Sequence, residues 1–197
     1  MTLESTPIQI IGASGITSYL ALILAKKGVN NIIVHDNERV NEDDTANQLY
    51  TRNQMGVLRV VALKDTIYRL TGQGIKPVDT GWDFTQRPMS GIFIINLPTL
   101  VERYEFCKKI GYPSRLIKYI DARIGLNHMD ILTGMIMRYK DTFTEPIQEY
   151  ILPMKETSPE ILMMGASLVT NQIFRVLGNE RMNDKVVVTY SQNEIIL

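Results

Sequence analysis

An α/β fold with a doubly wound, mostly parallel sheet and an antiparallel extension in its C-terminal half is what this sequence predicts, on three observations. Short apolar, β-rich runs alternate with segments of helical periodicity through residues 7–110, the pattern of strands joined by crossover helices. Glycines punctuate the passages between strand and helix, at Gly12, Gly28 and Gly111. Beyond residue 117, strand-like runs follow one another with little helix between them, as antiparallel neighbours do.

Taken in order, residues 7–11 form a short β-rich run ending at Gly12, and residues 16–27 carry apolar positions at helical spacing before Gly28. The β-branched stretch Ile32, Ile33 and Val34, bounded by polar residues, predicts a strand over 31–35 and completes a βαβ unit. Residues 37–54 are polar with little periodicity and read as a long loop. Val57, Val60, Val61, Leu63, Ile67 and Leu70 then share a helical face over 57–70. Residues 76–78 predict a short strand, 92–95 a buried one, and 100–110 a helix that stops before Gly111. Strands are expected over 117–120, 131–138 and 149–152. A helix follows, marked by Ile161, Gly165, Leu168, Val169, Gln172, Ile173, Val176 and Leu177, and strand composition returns over 183–197 with Val186, Val187, Val188 and Tyr190.

Composition narrows the function classes. The chain has 197 residues, 45% of them hydrophobic, enough to build the core of one domain and too apolar for a disordered or fibrous chain. No linker, repeat or charge block interrupts it, so a single domain over residues 1–197 is expected. Lys plus Arg and Asp plus Glu stand at 21 each; with no excess of positive charge to neutralise a phosphate backbone, nucleic acid is not an expected partner. No stretch approaches the roughly 20 apolar residues of a membrane span, and a cytoplasmic location away from membranes is expected. The single cysteine, Cys107, rules out an intrachain disulfide and any zinc site built from cysteine pairs.

The first turn reads Gly12-Ala13-Ser14-Gly15-Ile16-Thr17-Ser18 and departs from G-x-G-x-x-G at its second and third glycines. Its place between the first strand and the first helix is more informative, because backbone N–H groups and the helix dipole favour an anion there. Ser14 narrows the approach a phosphate needs. Asp36 ends the next strand, where a carboxylate can accept hydrogen bonds from ribose hydroxyls. Together they predict a nucleotide cleft without separating NAD from ATP. The plainer reading is a tight turn and an aspartate that caps a loop.

The residues after Asp36 are more specific: Asp36-Asn37-Glu38-Arg39-Val40, then Asp44-Thr45-Ala46-Asn47-Gln48-Leu49-Tyr50, then Gly56-Val57-Leu58-Arg59 opening a helix. In order and spacing they resemble the ThiF/MoeB/HesA family, relatives of ubiquitin-activating enzymes. Those proteins show a glycine turn, a strand ending D-x-D-x-V, an N-x-x-R-Q or N-x-x-N-Q segment, and a V-G-x-x-K helix start. Residues 94–110 with Arg103 look like the family's strand and helix after its T-D-N or V-D-S segment, and residues 119–125 look like its next strand and loop. The resemblance runs from residue 7 to about 180, by position rather than identity.

The resemblance implies a Rossmann-like sheet extended by antiparallel strands, usually dimeric, and a reaction in which a carboxylate attacks the α-phosphate of magnesium-bound ATP to give an acyl-adenylate. It implies that Gly12, Ser14, Gly15, Asp36 and Glu38 bind the nucleotide and that Asn47, Gln48 and Arg59 stand at catalytic positions. Asn47 replaces an arginine that contacts the triphosphate in many relatives, Gln48 matches, and Arg59 replaces a phosphate-binding lysine with a larger planar cation. With Arg103 aligned to the family arginine, Pro98 stands at the magnesium-binding aspartate and has no side-chain oxygen; a shift of two residues puts Asn96 there instead. The zinc-binding cysteine pairs of many relatives have no counterpart, and residues 127–154 hold no thioester cysteine.

Asn47, Arg59 and Pro98 predict a degenerate member of that family. It would keep the fold and an ATP cleft and act as a binding or scaffolding partner, as a homodimer or with a catalytic homologue. The alternative is an active ATP-dependent adenylyltransferase acting on the C-terminal carboxylate of a small ubiquitin-like protein or peptide, with magnesium as its metal. Arg59 would take the lysine's role, Asp36, Glu38 or Asp44 would supply acidic contacts, and a partner chain would donate the missing arginine. A NAD-binding oxidoreductase needs only the turn and Asp36, and leaves residues 44–50 and 56–59 unexplained.

The remaining candidates take plainer readings. His35 satisfies a local hydrogen bond, nothing in the sequence places a nucleophile or orienting carboxylate within reach of His128, and Cys107, with Phe106 and Ile110 on an apolar helix, is a packing residue. Glu42, Asp43 and Asp44 with Asp36 form the densest acidic cluster and read as a solvated loop rather than a metal site. Met135, Met137, Met154, Met163 and Met164 read as core filling rather than an adaptable surface. Tyr50, Tyr68 and Tyr104 show no clustering suited to base stacking.

Overall fold

The computed structural model describes residues 6–80, 90–110, 117–125, 128–143, 157–190 and 195–196. Its strands are β1 (Ile8–Ile11), β2 (Ile32–His35), β3 (Lys76–Val78), β4 (Gly91–Ile95), β5 (Ile117–Ile124), β6 (His128–Met135), β7 (Lys185–Tyr190) and β8 (Ile195–Ile196). They form one sheet in the order β3-β2-β1-β4-β5-β6-β7-β8. The first five are parallel to their neighbours, and β6, β7 and β8 add on antiparallel. The helices are α1 (Thr17–Lys26), α2 (Glu42–Asn47), α3 (Arg59–Thr71), α4 (Leu100–Ile110) and α5 (Pro159–Leu177), with 3-10 turns at Arg52–Gln54 and Ile136–Thr142. This is the Rossmann-like α/β fold that the sequence predicts.

The strands are apolar on both faces because both faces are covered. Ile8 and Ile10 of β1, Ile32 and Val34 of β2, and Ile92 and Ile94 of β4 point to one side and pack with Leu20, Leu24, Leu63, Val169 and Ile173 from α1, α3 and α5. Ile11, Phe93, Ile95 and Tyr119 point to the other side and pack with Phe106 and Ile110 of α4 and Tyr139 of the second 3-10 turn. Each such side chain contributes about 1.5–3 kcal/mol from burial, an upper figure because the unfolded chain already hides some surface.

Four expectations change. The long loop over 37–54 holds α2, because Asn41 and Asp44 form a capping box in which each side chain accepts the other's backbone N–H. The expected face of α3 is too wide. Val60, Leu63 and Ile67 are buried, whereas Val57, Val61 and Leu70 are exposed, since the helix starts at Arg59 and turns its 60, 63 and 67 side inward. β5 continues to Ile124, and the strand expected over 131–138 is shifted toward the N-terminus, as β6 ends at Met135 and the chain then winds into the 3-10 turn to bury Ile136 and Tyr139. Of the methionines expected to fill the core, Met135, Met137 and Met163 are exposed and Met164 packs against the core from a partly buried position. Met154 and the strand expected over 149–152 lie outside the described residues.

A buried ion pair fixes the second face. Arg103 of α4 and Asp121 of β5 are both fully buried and joined through Arg103 Nη1, which also donates to the Ile95 carbonyl at 3.2 Å. Asp121 accepts in addition from Arg123 Nε at 2.7 Å and from the Tyr139 hydroxyl at 3.0 Å. Burial pushes the Arg103 pKa down to about 10, so the guanidinium stays charged at neutral pH. Replacing Asp121 by alanine strands that charge, and urea denaturation is expected to show a loss of about 3–5 kcal/mol. A loss under about 1 kcal/mol, the size of a surface pair, would deny the network this role.

Candidate functional site

The site is built where β1 and β4, adjacent in the sheet, end side by side. β1 leads into its crossover on one face and β4 into its crossover on the other, which opens a crevice at their carboxyl ends. Gly12 has φ +94°, and a Cβ on it would stand 2.4 Å from the Asn96 carbonyl oxygen. Only glycine fits so close an approach. The Gly12 N–H donates to the His35 carbonyl and the Asn96 N–H to the Ile11 carbonyl, each at 2.9 Å. Gly15, at φ +58°, turns the chain into α1.

Side chains lock the turn from behind. The Thr17 hydroxyl donates to the Gly12 carbonyl at 2.7 Å. The buried Asn96 amide donates to the Ser14 carbonyl and, at 2.8 Å, to the Thr17 hydroxyl oxygen. Tyr50, also buried, donates its hydroxyl to the Ala13 carbonyl at 2.6 Å. With these carbonyls engaged, the turn presents donors: the Ser14 and Gly15 amides have no partner among the described residues. α1 has no side-chain cap and no acidic residue in its first turn, so nothing on the helix competes with an anion for its positive end.

Asp36 joins this turn to the loop after β2. Its Oδ2 accepts from the Ala13 N–H and its Oδ1 from the Glu38 N–H, each at 2.7 Å. Burial raises its pKa, against the lowering effect of those two amides and of Arg59. Each oxygen retains a lone pair after one amide bond, so hydroxyl donors can still be accepted.

The acidic loop is not solvated at Asp44, which is buried and holds four groups together. Its backbone N–H donates to Asn41 Oδ1, and its carboxylate accepts from the Asn41 N–H at 3.0 Å, Gln48 Nε2 at 3.1 Å and Arg59 Nε at 2.8 Å. Arg59 also pairs with Glu38 through Nη1. Burial opposes the Arg59 charge, but Asp44 above all, then Asp36 and Glu38, more than offset it and raise the pKa. Asn47 is turned elsewhere: its amide donates to the Thr157 carbonyl at 2.8 Å and its own carbonyl accepts the Tyr19 hydroxyl at 3.0 Å. Gln48 faces Asp44. Gly12, Ser14, Gly15, Asp36, Glu38, Gln48 and Arg59 thus form one linked group, and Asn47 ties that group to the start of α5.

Magnesium does not fit the described donors. Glu38 and Asp44 are both paired with Arg59, Pro98 offers no side-chain oxygen, and Asp36, whose oxygens keep one lone pair each, is a single carboxylate that already accepts two amides. Asn96 Oδ1 is buried without a partner, a single neutral ligand where a hard dication needs several oxygens. Among the described residues no group of three His, Cys, Asp or Glu is placed to hold a metal.

The other candidates lie apart. His35 faces the second side of the sheet, its Nε2 3.0 Å from Gln9 Oε1. His128 is at the start of β6 with its ring against Gly125. Cys107 packs in the second core, where burial pushes its thiol pKa up. Tyr68 is exposed, and Tyr104 meets Phe143 edge-on. Sequence reasoning misses how Tyr50 holds the turn and how Asp44 holds Arg59, although Asn41 followed three residues later by an acid is a helix-start signal.

No family model matches the chain, and no curated protein matches it in sequence. Solved structures do match. The microcin C7 biosynthetic enzyme MccB in complex with N-formylated MccA superposes with a TM-score of 0.77 at 15% identity, over 98% of this chain and 64% of that one. E. coli MccB with ATP gives 0.76 at 14% identity, over 98% of this chain and 63% of that one. PaaA gives 0.72 at 17% identity, over 98% and 64%. The fold is the one these proteins share. At such identity the likeness is one of fold, and the chain spans less than two thirds of the length of each.

Substituting Gly12 by alanine tests the turn. The new Cβ meets a backbone oxygen in a region of φ that disfavours it, so a loss of at least about 1–2 kcal/mol is expected in thermal or urea unfolding. An unchanged midpoint would refute the close approach.

Proposed function

We propose that this chain is the nucleotide-binding domain of a ThiF-like adenylyltransferase, which joins the AMP part of ATP to the C-terminal carboxylate of a peptide or small modifier-like protein. In that reaction a carboxylate oxygen attacks the α-phosphorus, the bond to the bridging oxygen breaks and pyrophosphate leaves. The supporting observation is the glycine turn, whose Ser14 and Gly15 amides have no partner among the described residues, beside Asp36, in a chain that superposes over 98% of its length on MccB structures solved with ATP and with MccA. The amides and the positive end of α1 would hold phosphate oxygens, Asp36 would accept the ribose hydroxyls, and Arg59 would face the phosphates.

Asp36, Glu38 and Asp44 outnumber Arg59 around the site, so this reading calls for further positive charge at the phosphates. A second chain donating an arginine across a dimer interface is the source this reading favours. The engagement of Arg59 by two carboxylates and of Asn47 by Thr157 favours a second reading, a non-catalytic partner that keeps the cleft.

ATP–pyrophosphate exchange in the presence of short peptides with free C-termini separates the two. Exchange that needs peptide and disappears in Arg59→Ala is expected for the enzyme, with ATP affinity reduced about tenfold or more in Asp36→Ala as charged hydrogen bonds are lost. ATP binding without exchange on any peptide would select the non-catalytic partner. Binding of NADH with no binding of ATP would overturn both.

A further inference from the structure

We infer that Asp44 is the positioning residue for Arg59, and that Glu38 is the anion an incoming phosphate displaces from it. The inference rests on the nucleotide reading above. Arg59 is the first residue of α3, where the helix dipole opposes a positive charge. Its backbone is pinned by the Arg59 N–H to Glu38 carbonyl bond at 2.9 Å and by the bridge between Arg39 and Leu58. The side chain then has two carboxylates to choose from, and they differ in every respect that decides which one can leave.

The Asp44 side chain is 4% exposed and the Glu38 side chain 65%. Asp44 caps α2 and holds Gln48 besides Arg59, so moving it undoes the start of a helix. The Glu38 carboxylate has Arg59 as its only partner among the described residues, and its removal costs little beyond one solvent-screened contact. Asp44 holds Nε and Glu38 takes one hydrogen on Nη1; of the five N–H donors on a guanidinium, the rest remain for a ligand. Asp44 thereby fixes the plane of the fork from behind, while Glu38 covers its open end. A phosphate that takes the place of Glu38 meets a guanidinium already oriented for two parallel hydrogen bonds.

The roles can be told apart by the sign of the effect. If both acids merely made the site more negative, removing either charge would strengthen anion binding. Positioning gives opposite signs. Calorimetric titration with ATP and with inorganic tripolyphosphate is expected to show Glu38→Gln binding about three- to tenfold tighter than the unsubstituted protein and Asp44→Asn about tenfold weaker. The double variant Asp44→Asn with Arg59→Lys is expected to recover part of the loss, since an ammonium has no plane to fix. Circular dichroism checks folding, and if Asp44→Asn does not fold, Asp44→Glu replaces it: the charge is kept, the fork is displaced by a methylene, and weaker binding is again expected. Tighter binding by Asp44→Asn, or unchanged binding by Glu38→Gln, would overturn the inference while leaving nucleotide binding in place. No ATP binding by any of these proteins would overturn the inference and the nucleotide reading together.

Discussion

The carboxyl ends of β1 and β4 approach so closely that residue 12 has no room for a side chain, and the rest of the site depends on that constraint. Because Gly12 lies directly against the backbone at Asn96, the turn after β1 can be clasped by the Asn96 amide and the Thr17 hydroxyl. With the Tyr50 hydroxyl on the Ala13 carbonyl, these groups occupy the carbonyls of residues 12–14 and leave the Ser14 and Gly15 amides without a partner among the described residues. Asp36 then reaches the Ala13 N–H from the end of β2, so three consecutive strands of the sheet converge on one turn. An interior sheet covered on both faces supplies the rigidity, and the crevice at its carboxyl edge supplies the opening.

Around that opening the three carboxylates are satisfied in three different ways. Asp36 is held by backbone amides, Asp44 by an amide, a carboxamide and a guanidinium, and Glu38 by the guanidinium and solvent. Hydrogen-bond donors offset part of what burial costs these carboxylates, and at Asp36 burial still outweighs the two amides and Arg59 and raises the pKa. Their arrangement also sets the character of the cleft, in which donors line the floor at the glycine turn and acids line the wall toward α3. An anion entering there is drawn to the floor and has to compete along the wall.

Much of the fold was legible because its signals are local. Apolar runs at 7–11, 31–35 and 92–95 separated by helical periodicity could mean little else, and the glycine turn and Asp36, paired in the sequence reading, are joined in the structure through the Ala13 N–H. What stayed hidden depends on partners distant in sequence. Nothing near Arg103 in the chain announces that Asp121 awaits it on the next strand, and nothing near Asn47 points to Thr157. The acids at 42–44 looked like a solvated run because a charge count cannot tell a capping carboxylate from its exposed neighbours. The methionines misled for a related reason: Met135 and Met137 stand where β6 ends and the chain winds away from the sheet, an edge that composition does not reveal.

The bond from Asn47 to the Thr157 carbonyl spans 110 positions of sequence. Contacts of such separation form late, because the entropy of closing a large loop is spent before the contact gives anything back. The glycine turn is long-range as well, since the Asn96 amide reaches the Ser14 carbonyl across 82 positions and the Thr17 hydroxyl across 79. Floor and wall of the cleft therefore both depend on distant parts of the chain, the floor on the end of β4 and α2 on the segment that leads into α5.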